Sequence, residues 1–311
     1  MAINVSTILK GPALVKYNSA TFYSKGDITL TTQHQTMNVE VDRYGKVDER
    51  VLDTEIKVTF TPSGEWEALS VLFSHVTRPI GDFITDNTDK PLVIHTFAGT
   101  KLTLHNAAIT KMPNIRGSAT ETLLAEVEFT SFVKNNVERT TANSRWTIEN
   151  EALSDTTFNP ASILVQSYTL GWGDAPWDSM STKDGFTLEW TLGLTPVNTD
   201  KDGVVTQQLS NLDVAVKAQV LGITESDLMT KMLIQGSDAA RGRSLSSEAD
   251  NLVISSTGVH IIVYGAALKT SPQTFGRTSL RIGELEWIAT RTFTGGTANP
   301  LVFVGTADPG E

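Results

Sequence analysis

Apolar and polar residues alternate with a period of two along much of this chain. From Asp27 to Val41 the apolar side carries Ile28 and Leu30 and then Met37, Val39 and Val41, and a second run follows from Val47 to Phe60. Such alternation marks strands with one face on a core. Between the runs lies Asp42, Arg43, Tyr44 and Gly45, a turn composition in which glycine supplies positive φ. Phe186 to Leu194 and Val204 to Val220 repeat the pattern around Asn198, Asp200, Lys201, Asp202 and Gly203. Both pairs read as hairpins with arms longer than the usual five or six residues of a strand. An arm that outreaches its own small domain needs something beyond it to pair with.

Helical spacing follows each hairpin. Thr61 and Pro62 open a segment in which Trp66, Leu69, Leu72 and Phe73 form one apolar stripe. Thr224 and Asp227 open the other like a capping box, with Leu228, Met229, Met232 and Leu233 as its stripe. These stripes predict helices packed on a sheet.

A longer self-similarity organises the rest. Gly99 to Ile109 aligns with Gly258 to Leu268 without a gap, sharing the leading glycine and the pairs Ala107, Ala108 and Ala266, Ala267. Pro113 falls on Pro272 and Gly117 on Gly276, and after a one-residue deletion Ala125 to Phe129 falls on Gly283 to Trp287. The strand Pro12 to Tyr17 has its echo in Pro160 to Tyr168. The chain therefore reads as two tandem copies of one mainly β domain, each with a long hairpin and one flanking helix. The expected organisation is an N-terminal arm over 1–11, copies at 12–133 and 160–304, a polar linker at 134–159 and a tail at 305–311. Gly171 to Trp177 is an apparent insertion in the second copy. Its Trp172 and Trp177 either fold back on the core or contact a neighbouring subunit.

Composition narrows the function. With 311 residues, 40% hydrophobic and 19% charged, the chain has the length of about two globular domains. No apolar run approaches the roughly 18 residues of a membrane span, and no signal-peptide succession opens the chain, so a soluble, unexported protein is expected. The net charge of −10 divides as 19 acidic and 15 basic residues through Asp155, then 16 and 10. Neither half has the basic surface of a nucleic-acid reader. There are no cysteines, and the five histidines never occur in close pairs, which leaves no zinc-type motif. Nucleotide-binding glycine loops and hydrolase motifs are missing too. Arg241 and Arg243 form a small basic cluster that reads as a solvated loop tip.

One pairing suggests acid/base chemistry: Glu126 with Glu128, and Glu284 with Glu286. Alternation puts each pair on one strand face, roughly 7 Å apart. The pair occurs twice in equivalent places without the Asp, His or Arg support of a working site, so it reads as the solvent face of a strand whose other face carries Val127 and Phe129, or Leu285 and Trp287. No catalytic residue, cofactor or metal is expected.

The order of elements resembles the tail tube (major tail) proteins of long-tailed bacteriophages: an arm, the strand ending Leu14, Val15, Lys16, Tyr17, the run Phe22 to Asp27, a long hairpin, one helix, a second hairpin and a closing Glu-x-Glu-aromatic strand. The resemblance implies a β-sandwich or barrel domain, six of which form a ring whose inner sheets join into one barrel, with rings stacked into a tube. Two copies per chain then imply homotrimeric, pseudo-sixfold rings. The implied partners are other copies of the chain, a tape-measure protein and tail tip or terminator proteins. DNA would pass without specific binding, and the chain would reside in the virion after assembly in the host cytoplasm, away from any membrane. On this reading Glu126, Glu128, Glu284 and Glu286 line the lumen, where like charge keeps DNA from sticking. The turn residues Asp42, Arg43, Tyr44, Asp200, Lys201 and Asp202, together with Trp172 and Trp177, would contact other subunits or rings. Rival readings are a distal tail or baseplate ring, a secretion-tube relative, or a two-domain β-sandwich enzyme or carbohydrate-binding module.

Overall fold

The computed structural model describes residues 13–85, 90–97, 99–118, 123–132, 145–151, 153, 168–199, 203–231, 244–273, 282–291, 293–294 and 297–309. The protein is mainly β. Strand β1 (Ala13–Tyr17) turns back into β2 (Ala20–Ser24), and the long arms β3 (Thr29–Val41) and β4 (Gly45–Phe60) follow. After the short β5 (Pro62–Ser63), one α-helical turn, α1 (Trp66–Leu69), continues as a 3-10 helix over Ser70–Thr77. Then come β6 (Leu92–Thr96), β7 (Thr100–Leu104), β8 (Ala107–Lys111), β9 (Ile115–Gly117), β10 (Val127–Ser131) and β11 (Trp146–Asn150). Further along are β12 (Thr169–Trp172), β13 (Ser181–Thr199), β14 (Gly203–Leu221) and α2 (Glu225–Lys231). The chain closes with β15 (Asp250–Ser256), β16 (Val259–Thr270), β17 (Leu285–Ala289), the short β18 (Phe293–Thr294) and β19 (Thr297–Ala298), and β20 (Val302–Gly305).

The N-terminal half forms two sheets, ordered β11-β7-β6-β1-β2-β5 and β3-β4-β10-β8. In the C-terminal half one sheet runs β12-β15-β16-β17-β14-β13, with β20 also on β16, and it ends on β9 from the other half. Strand β16 spans ground that β7 and β8 cover separately, because the chain bends at Gly265 as it does at Asn106. Both residues have positive φ, 56° and 45°, where only a permissive glycine or a locally hydrogen-bonding asparagine sits easily.

The two halves share ladder irregularities that side-chain patterns do not reveal. The first hairpin slips register between Gln35 and Thr36 and between Val39 and Glu40; the second slips between Gly193 and Leu194 and between Val197 and Asn198, each 158 residues later. Gly45 and Gly203, at the same interval, close the two turns with φ of +69°. A third slip sits at Glu128/Phe129 opposite Thr110, and at Trp287/Glu286 opposite Lys269. Bulges bend and twist the strand that carries them, so hairpins with bulges at matched positions curve alike.

Register also corrects one detail of the alignment. Ala125 donates to the Asn114 carbonyl and Gly283 to that of Pro272, while Ile115 bridges Leu124 and Gln273 bridges Ile282. The one-residue difference between halves therefore falls before Asn114 rather than after Gly117, and Pro113 does not occupy the place of Pro272.

The expected apolar faces are core. Val127, Phe129, Leu285 and Trp287 are fully buried, as are the first helical stripe and Leu228 of the second. Thr224 and Asp227 cap α2 reciprocally through side chain and backbone. Tyr17, Phe60 and Phe129 meet ring to ring at 4.8 and 5.9 Å, and Trp172 meets Trp177 and Trp287 at 5.2 and 5.9 Å.

Trp172 and Trp177 therefore do not serve as subunit contacts: they are 0% and 2% exposed, and Trp172 donates its indole N–H to the Ala266 carbonyl. Only three residues of their segment are extra, since Leu170 and Met180 stand ten residues apart where Val15 and Phe22 stand seven apart. Leu170 lies opposite Ile254 as Val15 lies opposite Ile94, and Met180 bridges Leu170 where Phe22 pairs Val15. The segment is paired in the way the β1–β2 hairpin is, and Trp172 and Trp177 are buried as Tyr17 is. The polar linker is also shorter than expected, since β11 pairs with β7 inside the first half. By the pairing of β1 with β6 and of β12 with β15, Trp172, not Tyr168, stands where Tyr17 does, so the echo of Pro12 to Tyr17 does not fall at Pro160 to Tyr168. The arm at 1–11, residues 160–167, Met232, Leu233, Arg241 and Arg243 lie outside the described residues.

Replacing Trp172 with alanine should cost about 3–5 kcal/mol, the usual penalty for emptying a large aromatic site, whereas Tyr44→Ala, at a side chain 70% exposed, should change stability by less than about 0.5 kcal/mol. Urea unfolding of the two variants measures the difference.

Candidate functional site

Two features stand out: a charged face on the central sheets and the joint where the second hairpin docks on the first half. On β10 the side chain of Glu128 points away from the core and is half-buried, while Glu126 just before it is exposed. Thr110 donates a 2.7 Å hydrogen bond to Glu128, Lys57 stands 3.7 Å from it and 3.2 Å from Glu55, and Lys111 pairs with Glu126 at 3.2 Å. The second half repeats the arrangement. Glu286 accepts from Lys269 at 3.4 Å and from Thr270 at 3.1 Å, and Lys217 on the adjacent strand pairs with Glu189 at 2.6 Å. The hydrogen bond to Glu189 holds the Lys217 ammonium above the ordinary lysine range, and the charges of Glu189, Glu286 and Glu284 add to this against the cost of desolvation.

This differs from a bare acidic wall. Glu55, Glu126 and Glu128 face Lys57 and Lys111; Glu189, Glu284 and Glu286 face Lys217 and Lys269. The face stays net negative but most carboxylates have a lysine neighbour. Geometry of this kind suits a stable polar surface better than acid/base chemistry, which needs one carboxyl kept protonated beside its partner.

At the joint, the C-terminal half's long arms are covered by the N-terminal half. Strand β9 adds to the edge of β13, Ile115 opposite Leu188 and Gly117 opposite Phe186. Farther along, Gly81 and Ile84 donate to the carbonyls of Leu209 and Gln207 at 2.8 and 2.9 Å, and Leu209 donates to Asp82 at 2.8 Å, so this loop acts as a strand against β14. Trp190 donates its indole N–H to Pro113 and packs on Phe73 at 5.5 Å. Leu194 and Val204 pack on a small cluster of Ile84, Ala108 and Phe132.

A buried charge closes the joint. Asp53 on β4, 6% exposed, accepts from its neighbour Thr54 at 2.7 Å, from the backbone N–H of Val204 at 3.1 Å and from Arg145 at 3.2 Å. Arg145 also donates to the Thr54 carbonyl. The clasp borders a cavity of about 210 Å³ lined from both halves, by Gln35, Glu55, Pro196 and Asn198 among others. Sequence reading missed it: Asp53 looks like another polar position of an alternating strand, and Arg145 lies in the supposed linker.

The turn residues divide. Tyr44 is 70% exposed with the Arg43 guanidinium 5.4 Å from its ring centre, and Asp42 and Arg43 are exposed with it; Asp200, Lys201 and Asp202 lie outside the described residues. A second cleft of about 520 Å³ is lined by Asp250, Asn251, Tyr264 and Asn299, and burial, with the charge of Asp308, pushes the Tyr264 hydroxyl up. Among the described residues no three histidines, aspartates or glutamates gather as a metal site, and no helix is long and apolar enough to cross a membrane.

Removing one partner of a buried ion pair strands the other, so Arg145→Ala should cost about 3 kcal/mol or more. The double replacement Asp53→Leu with Arg145→Met should cost less than the single change. Thermal or urea unfolding of the three proteins checks the order.

Compared with protein-family models and with curated proteins, the chain has no match, so its function is read from its own geometry.

Proposed function

We propose that this chain is a structural subunit of a bacteriophage tail tube, built from two tandem copies of one tube domain. Three chains form a pseudo-sixfold ring, and rings stack helically around a channel that conducts DNA into the host. The protein acts by assembly, without catalysis. Its partners are other copies of itself, the tape-measure protein and the tail tip and terminator proteins, and it resides in the virion.

The observation that carries the reading is the joint itself. Two hairpins with bulges and turn glycines at matched positions are used differently: one is docked on the neighbouring half and the other extends from it. A unit that offers one surface to receive a hairpin and a different surface as the hairpin makes a heterologous contact, and such contacts propagate into closed rings or open helices. The charged face fits the lumen of the tube, with Glu126, Glu128, Glu284 and Glu286 toward DNA. A conduit for a polyanion gains nothing from exposed unpaired cations, each of which adds a salt-sensitive binding site.

Negative-stain electron microscopy of concentrated protein should give rings or striated tubes with a central channel and threefold averages. Compact monomers alone, even with preformed tail tips added as seeds, would overturn the reading. Replacing all four lumen glutamates with glutamine, which frees the facing lysines for phosphate without loading the face with like charge, should leave assembly intact and slow DNA passage in reconstituted tails; unchanged delivery would remove these residues from the lumen.

A further inference from the structure

The cleft at Asp250, Asn251, Tyr264 and Asn299 has no part in the tube reading, and its polar groups are held in place. A register slip between Asp250 and Leu252 takes Asn251 out of the ladder with β16, and such a slip re-aims the side chains beside it. Asn251 is then fixed by other bonds: its carbonyl accepts the Gly173 N–H and its side-chain oxygen the Gly265 N–H, both at 3.4 Å. Asp250 is fixed too. Its Oδ1 accepts the N–H of Asn251 at 2.8 Å, and its Oδ2 fills the place of the side chain that residue 173 lacks, since a Cβ on Gly173 would lie 2.2 Å from it. Tyr264 donates its backbone N–H to Leu301 at 2.9 Å, which fixes the neighbouring Asn299 and Pro300 as part of the wall. A 3-10 helix over Leu245–Glu248 adds Ser246.

The fold itself does not require these side chains. Leu92 lies opposite Leu104 as Leu252 lies opposite Val263, and Ala107 donates to Lys90 where Ala266 pairs with Asp250. The first half thus makes the same slip with Lys90, Pro91 and His105 in the places of Asp250, Asn251 and Tyr264. A backbone built by either set leaves the second set open to another purpose.

The lining narrows the ligand by exclusion. It contains no lysine or arginine, so a phosphate or carboxylate would meet only the charge of Asp250. A hard cation needs about six to eight oxygens at roughly 2.3–2.6 Å, and one carboxylate in a space of about 520 Å³ does not converge in that way. Ala249, Pro300 and the Tyr264 ring are its apolar surfaces, too few for an apolar ligand. A neutral ligand rich in hydroxyls fits what is left. Planar carboxylate and amide groups can take adjacent hydroxyls in pairs, and the Tyr264 hydroxyl, kept protonated by burial and by Asp308, is a donor.

We propose that this cleft binds a neutral saccharide, with Asp250, Asn251 and Asn299 taking its hydroxyls and Tyr264 packing on its ring.

Saturation-transfer NMR on the full chain tests this with methyl glycosides of glucose, galactose and mannose, with N-acetylglucosamine, and with glucuronate as the charged counterpart. At least one neutral sugar should bind with a Kd on the order of 1 mM or tighter, and glucuronate about tenfold more weakly because its carboxylate meets Asp250. Asp250→Asn keeps an acceptor for the Asn251 N–H and removes the charge, so it should abolish that discrimination. Tyr264→Phe should weaken the neutral sugar about threefold to tenfold through the lost hydroxyl. A role in folding alone would move the melting temperature and leave the discrimination as it was. The proposal would be overturned by neutral sugars that give no signal at about 10 mM, by glucuronate bound as tightly as they are, or by variants that bind like the natural chain. Binding of the tripeptide Gly-Asn-Gly in place of the sugars would overturn it as well. The inference does not rest on the tube: sugar binding by a chain that forms no rings would keep the cleft and remove the tube, and rings that bind no sugar would do the reverse.

Discussion

Strand edges must have partners, and this fold depends on that constraint more than on any other. Each buried N–H or C=O left unpaired costs free energy on the order of 1–3 kcal/mol. Strands β13 and β14 run 19 residues each, well past the layer that their own half builds. The excess length is stable because the other half supplies a strand, β9, and a loop, Gly81 to Ile84, that complete the hydrogen bonding. Packing follows from this pairing. Leu209, Leu212 and Val214 are buried because the backbone on that side is already covered.

The two turn glycines show how far docking, as opposed to turn geometry, constrains a position. Gly45 and Gly203 share the same positive φ, so each turn requires glycine for the same backbone reason. A side chain at Gly45 would meet open space, whereas at Gly203 a Cβ would lie 2.7 Å from the Asp53 carboxyl carbon. Gly203 is thus held by its turn and by the buried carboxylate beside it, which accepts the backbone N–H of Val204, the next residue. A buried pair such as Asp53 with Arg145 adds little net stability over an apolar substitute. Its value here is register: only one placement of the second hairpin gives Asp53 its full set of donors.

Much of this fold was legible in the sequence because period-two alternation and turn glycines report directly on strands with one buried face. Both hairpins, both helical segments and the buried faces at Val127, Phe129, Leu285 and Trp287 follow from it. The misreadings have physical causes. Trp172 and Trp177 were ambiguous because tryptophan suits cores and interfaces equally, and only their burial in the packed fold decides between them. The bulges were invisible, since an extra residue in a ladder changes pairing without changing composition. The Asp53 and Arg145 clasp joins residues 92 apart, and no local pattern carries such a contact. The lysines facing the glutamates were in plain view, at alternate positions of neighbouring strands, but which strands are neighbours depends on a topology that alternation does not specify.

Those lysines bear on what a conducting wall requires. In the tube reading the charged face is repeated around each ring and along the stack, so its own repulsion grows with assembly. Unscreened acids on every domain would oppose the closure of the wall they line, over distances up to a Debye length of about 10 Å at 0.1 M salt. Pairing Lys57 with Glu55 and Glu128, Lys111 with Glu126, Lys217 with Glu189 and Lys269 with Glu286 removes most of that repulsion locally. Because acids still outnumber bases on the face, the field at a greater distance remains negative, and a polyanion on the channel axis meets that residual field. The lysines, already engaged by carboxylates, are poor phosphate ligands, because each new contact must first break an existing one. A wall of this composition can assemble without strong self-repulsion and still not hold DNA, which a wall of acids alone or of mixed unpaired charges would not achieve together.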